Sequence, residues 1–180
     1  GSGCGNAICS GTNSGHIIVG GSGNTSCNTN TGGGHTIVVG GCCNCALGSY
    51  SVVIGGKQNS NQGNCGFIGG GSGSLFCCTS YNPCFGSIAG GRENKICNEE
   101  YGSIGGGCCN IISAVHCACA GTIGGGTLNT IAGHHGTIGG GASNSICYQI
   151  QFGTIAGGSQ NKICSLGGFI GGGGDNCVEK

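Results

Sequence analysis

Residues 121–147 read GTIGGGTLNTIAGHHGTIGGGASNSIC, nearly the same phrase written twice. The stretch holds too much glycine for a helix and too much order for a linker. Both halves carry Ile, a Gly-Gly pair, Asn and a second Ile at the same spacings. Such a phrase, if it recurs, describes one structural unit that buries its apolar side chains only by stacking on copies of itself.

It recurs along the whole chain. Numbering each copy from its Gly-Gly pair, the pairs begin at Gly20, Gly40, Gly55, Gly70, Gly90, Gly106, Gly125, Gly140, Gly157 and Gly172, and a degenerate eleventh copy begins at Ser2. The basic unit is 15 residues with short insertions. Two residues before each pair stands an aliphatic residue without exception, from Ile18 and Val38 to Ile155 and Ile170. Six residues after its start stand Ile8, Phe76, Ile96, Ile112, Ile131, Ile146, Ile163 and Val178, interrupted by Ser26, Ala46 and Asn61. Four residues after it stands asparagine in every copy except the one with Ser74.

These columns predict an all-β parallel β-solenoid of about eleven short rungs, one repeat domain over residues 1–180. Two short β-branched segments per copy are two strands, each lending one side chain to a narrow core. The glycines between them permit positive φ. Stacked rungs stand ~4.8 Å apart, which gives a rod on the order of 50 Å long. The asparagines then form a ladder whose amides can bond the next rung or a turn. Insertions fall after the second strand, before dipeptides such as Phe85-Gly86 and His135-Gly136, where a loop can bulge without shifting the stack.

Composition agrees and excludes several classes. Glycine is 47 of 180 residues without a Gly-x-y period, so collagen is ruled out. Charged residues are 6% and the net charge is zero, which leaves no basic stripe for nucleic acid. A chain rich in Ile and Val and poor in charge is unlike a disordered one. No apolar run reaches the ~18 residues of a membrane span, so no membrane insertion is expected. The chain begins and stops inside the repeat, so a mature portion or segment of a longer fibre is expected.

A coil with two large apolar side chains per rung is thin, and ordering its backbone is costly. It needs lateral partners or covalent staples. Eighteen cysteines supply candidates for the second remedy. Seven residues after the start of the pair stand Cys9, Cys27, Cys77, Cys97, Cys147 and Cys164, always in adjacent copies and recurring every fourth copy. Cys42–Cys43 and Cys108–Cys109 follow the same longer period of roughly 66–70 residues. Stacked Cα atoms at ~4.8 Å lie within disulfide reach. The pairs expected are Cys9–Cys27, Cys77–Cys97 and Cys147–Cys164. Bonds between chains remain the alternative, because the residue after an inward Ile points outward. Disulfides on this scale belong to an oxidising compartment.

Metal ligation is the competing use of cysteine. Cys43-Asn44-Cys45, Cys117-Ala118-Cys119 and His116-Cys117 resemble ligands in isolation, yet the paired spacing of zinc sites does not recur, and no metal or cofactor is expected. His16, His35, His116, His134 and His135 stand near strand starts, where other copies place an aromatic, and read as packing residues. Catalysis needs a few residues found once in a special place. The acidic residues Glu93, Glu99, Glu100, Asp175 and Glu179 form no such constellation, and no enzyme activity is expected. Runs such as Gly69-Gly70-Gly71 lack the Lys-Ser/Thr and helix of a phosphate loop.

The copies GSIAGGRENKI (86–96), GSIGGGCCNII (102–112) and GTIAGGSQNKI (153–163) resemble the head repeats of trimeric autotransporter adhesins and the glycine-rich repeats of phage and giant-virus fibre proteins. The resemblance implies a left-handed parallel β-roll, three chains side by side, and a role in attachment or rigid spacing. It also implies an extracellular, cell-surface or virion-surface location and a receptor or glycan as a possible partner. Family repeats are nearer 14 residues and poorer in cysteine, so a single coil or an end-to-end filament stands beside the homotrimer. Two other readings compete with the fibre. Ser87, Ser103, Thr122, Thr137 and Thr154 form a hydroxyl column that an ice-binding solenoid would use, although Phe67 and Phe169 interrupt it. A cysteine-rich metal-storage protein is the other.

Overall fold

The structure is a computed structural model that describes residues 3–9, 15–28, 33–77, 85–98, 100–113 and 120–179. Cys78, Cys84, His116, Cys117, Cys119 and Glu99 lie outside the described residues. The described chain is all strand and turn, with no helix. Odd-numbered strands form one parallel sheet of eleven, from Ala7–Ile8 to Cys177–Val178. Even-numbered strands form a second parallel sheet of ten, from His16–Ile18 to Phe169–Ile170. The chain is therefore a β-solenoid of ten complete two-strand rungs and one extra strand, slightly fewer than the eleven rungs counted from sequence. The difference lies in the degenerate first copy, of which only the second strand is described.

Register is strict. Ile104 pairs with Ile123, Ile123 with Ile138, and Ile138 with Ile155 in the ten-stranded sheet. In the other sheet Ile112 pairs with Ile131, and Ile131 with Ile146. A third ladder of single parallel bridges links Ser22, Cys42, Lys57, Ser72, Arg92, Cys108, Thr127, Ala142, Ser159 and Gly174. Strands of two or three residues are too short to stand alone, and they exist here because each has a neighbour on its stacking side.

The core consists of the two aliphatic columns seen in the sequence. The column from Ile18 to Ile170 is buried throughout. Phe76, Ile96, Ile112, Ile131, Ile146 and Ile163 fill the second column and are fully buried. Ile8, expected in that column, is 56% exposed, and its strand ends the described sheet.

The gaps at Ser26, Ala46 and Asn61 are filled from an unexpected direction. In the later rungs a glycine stands two residues before the first-column Ile, and a Cβ there would press on the second column. At Gly136 it would stand 2.8 Å from Ile131 and 3.1 Å from Ile146. The early rungs place Thr36 and Ser51 at this position instead, both fully buried. Ser26 Oγ and Thr36 Oγ1 lie 2.6 Å apart, and Asn61 Nδ2 donates to Val52 O at 3.1 Å. The interior thus exchanges one large aliphatic for two smaller groups, as close packing requires. The exchange is imperfect, since Ser51 Oγ and Asn61 Oδ1 are buried without a hydrogen-bond partner.

The asparagine ladder explains why that column is so uniform. Asn129 Nδ2 donates to Gly125 O of its own rung and to Gly141 O of the next, each at 3.0 Å. Its Oδ1 accepts the backbone N–H of Asn144 at 3.0 Å. One amide therefore satisfies a turn and joins two neighbouring rungs. Only a side chain with a donor and an acceptor at this length does both.

Candidate functional site: the outer faces of the coil

The turn between the two strands controls what the coil shows to solvent. The second glycine of each pair has positive φ, for example +87° at Gly126, and a Cβ there would run into Gly141 O of the next rung. Positive φ at the first glycine is not general: Gly90, Gly125, Gly140 and Gly157 do not have it. The position just before asparagine does adopt it in all copies. Gly5, Gly23 and Gly73 hold it at no cost. Cys43, Gln58, Glu93, Cys109, Leu128, Ser143, Gln160 and Asp175 hold it too, at φ of 54–59°. The three glycines were the sequence signal for this feature. The consequence is a corner on which two consecutive side chains emerge side by side and line up with those of the rungs above and below.

Six of the cysteines expected as staples are joined in the structure as Cys9–Cys27, Cys77–Cys97 and Cys147–Cys164, with Cα atoms 5.0, 4.8 and 5.0 Å apart. They tie rungs one to two, five to six and nine to ten. Such bonds suit an oxidising environment. Cys4, Cys42, Cys43, Cys45, Cys65, Cys108, Cys109 and Cys177 are free thiols. Among the described residues no three His, Cys, Asp or Glu side chains converge as metal ligands.

Three of the histidines meet a ring or a hydroxyl. His135 stacks on Phe152 with centroids 5.3 Å apart, and His35 packs against Tyr50 at 5.8 Å. His16 Nδ1 lies 2.7 Å from Thr36 Oγ1. Lys162 and Glu179 form an exposed pair at 3.8 Å.

The outer face of the ten-stranded sheet changes character along the rod. Its early rungs carry an apolar strip of Ile17, Val19, Val39, Ile54 and Phe67, all exposed. Its later rungs carry the hydroxyl column. Ser87 pairs with Ser103, Ser103 with Thr122, Thr122 with Thr137, and Thr137 with Thr154. On one side of that column stand the small residues Ala89, Gly105, Gly124, Gly139 and Ala156, and on the other the stacked ring pairs Phe85–Tyr101 and His135–Phe152. No protein-family model matches the chain, and no curated protein is significantly similar to it.

Proposed function

We propose that this chain is a structural fibre subunit that works outside the cell or on a virion surface and assembles with copies of itself. The observation that carries the reading is the uninterrupted in-register stack of ten rungs in three parallel ladders. A rod of this kind transmits length and stiffness, and it needs no unique pocket. One feature supports self-assembly. The apolar strip around Ile17, Val19, Val39 and Ile54 offers lateral burial to another chain, as a trimer would use. The resemblance of the repeats to adhesin heads and viral fibres points the same way and adds attachment to a receptor or glycan. The role proposed for the rod as a fibre is non-enzymatic.

Sedimentation and electron microscopy under reducing and non-reducing conditions test the reading. Trimers or rods in either condition are expected, and a compact monomer in both overturns self-assembly. One alternative has a specific observation behind it: the registered hydroxyl strip from Ser87 to Thr154 has the regularity of an ice-binding face. Thermal hysteresis and faceted ice would establish that reading in place of the fibre.

A further inference from the structure

The corner described above does something particular where two cysteines follow one another. Cys108 and Cys109 emerge side by side, with their sulfurs 3.0 Å apart. Arg92 and Glu93 occupy the same two positions one rung earlier. Arg92 Nη2 donates to Cys108 Sγ at 3.3 Å, and Cys109 Sγ, whose single proton is shared between Cys108 Sγ and this carboxylate, lies 3.6 Å from Glu93 Oε2. A guanidinium thus stands on one sulfur and a carboxylate on the other. The two thiols are half-buried at the surface and take no part in the staples. The same corner at Cys42–Cys43 brings those sulfurs to 3.2 Å, again with φ of 58° at the second cysteine.

We propose that Cys108–Cys109 is a thiol–disulfide exchange site on the outside of the coil, whose substrate is a small dialkyl disulfide of the glutathione class. Cys108 is the attacking sulfur and Cys109 the resolving one. The Cys108 thiolate attacks one sulfur of R–S–S–R, forming the mixed disulfide Cys108–S–S–R as the original S–S bond breaks and RS⁻ leaves. Cys109 then gives up its proton to the departing thiolate or to water. Its sulfur attacks Cys108 Sγ and expels the second RS⁻. The pair has lost two electrons and become a disulfide, and the substrate has become two thiols. The reverse sequence reduces the pair.

The division of roles follows from the charges. The bond from Cys109, and then the Arg92 guanidinium, hold the Cys108 thiol below its ordinary value. Cys109 is pushed up to about 11, chiefly by its bond to Cys108. A thiolate is the nucleophile in exchange, and a nearby cation favours it. The second sulfur needs about 1 Å of approach to reach bonding distance. At rung three the nearest cation in the ladder is Lys57, on the following rung, and no guanidinium bonds to Cys42. That pair serves as an internal comparison.

The test uses the full chain with its staples intact. Oxidised glutathione is added near pH 7, samples are quenched in acid, remaining thiols are alkylated, and peptides are mapped by mass. A glutathione adduct should appear first on Cys108 and give way to a Cys108–Cys109 disulfide, ahead of any change at Cys42–Cys43. C109S should hold the adduct on Cys108. R92Q should slow its formation several-fold, because removing the cation leaves less thiolate at Cys108. The proposal is overturned if Cys108 and Cys109 both alkylate as free thiols after the solitary Cys65 or Cys177 has reacted. It is also overturned if R92Q leaves the rate unchanged. The wild-type time course decides by itself should either variant fail to fold, and it is independent of whether the chain forms fibres.

Discussion

The backbone N–H of Asn144 donates to Oδ1 of Asn129 at 3.0 Å, and the relationship repeats from rung to rung. Asn161 stands on Asn144 in the same way, and Asn176 on Asn161. The ladder is broken where Ser74 takes the asparagine position. There Ser74 N–H still donates to Asn59 Oδ1, but its own Oγ is buried without a partner. S74N should therefore bond Gly70 O, Gly91 O and the Asn94 N–H. Three modest net hydrogen bonds should stabilise the chain by about 1–3 kcal/mol. Urea unfolding checks this through a higher midpoint at unchanged slope. A lower midpoint would mean that the serine fits that rung better than the ladder implies.

The two glycines of a pair should respond differently to alanine. Gly126 has φ of +87° and faces Gly141 O, whereas a Cβ on Gly125 meets nothing within 4 Å. G126A combines left-handed backbone strain of roughly 1–2 kcal/mol with a collision against main chain. It should destabilise well beyond that figure, and G125A should cost less than about 1 kcal/mol. Equal effects in paired denaturation curves would refute the assignment of the constraint to the second glycine.

The exchange of volume inside the early rungs predicts coupling. N61I places a larger apolar side chain beside Ser51, whose hydroxyl has no partner. The single change should overpack and cost about 1–3 kcal/mol. Adding S51G recreates the later rungs, where glycine faces isoleucine. A double-mutant cycle should show a favourable interaction of about 0.5–3 kcal/mol. Strict additivity would show that the two positions do not share space.

Removing the central staple should be felt without changing the fold. Cys77 and Cys97 are 20 residues apart in sequence. The C77S/C97S variant should lose about 3 kcal/mol, most of it through a less constrained unfolded chain. Circular dichroism should remain that of a β protein while the melting temperature falls. An unchanged melting temperature would show that rung stacking alone carries this region.

One thiol should titrate high for a reason opposite to that at Cys108. Cys177 Sγ donates to Glu179 Oε1 at 3.3 Å, and that bond, together with the carboxylate's charge, raises the thiol above its ordinary value. Thiolate therefore forms at Cys177 only as the pH rises further. Its alkylation profile should lie at higher pH than that of Cys108, whose thiol is lowered. E179Q should move the Cys177 profile down. A profile that E179Q leaves in place would refute the carboxylate's role.

Much of this was legible in the sequence because a solenoid rung repeats its constraints in order. Ile123 and Ile138 lie 15 residues apart and touch through Ile-to-Ile register, so spacing and contact coincide. The Cys77–Cys97 pair could be placed for the same reason, since both stand one residue after a core position in adjacent copies. Less legible were features that depend on where a side chain points. Thr36 and Ser51 look like ordinary polar residues before a strand, yet both are buried. Cys109 and Leu128 gave no sign of left-handed backbone, because the turn imposes it against their own preference.

The sequence by itself therefore determined the period, the two core columns, the asparagine ladder and the all-β solenoid they build. Each of these is a local requirement met once per copy. The tertiary stack alone decided that Thr36 fills the space left by Ser26, that Arg92 stands on Cys108, and that Cys108 and Cys109 bring their sulfurs together. Those contacts join residues of different rungs, or follow from a turn that stacking holds in place. They are set by the three-dimensional register of neighbouring copies, which no single copy contains.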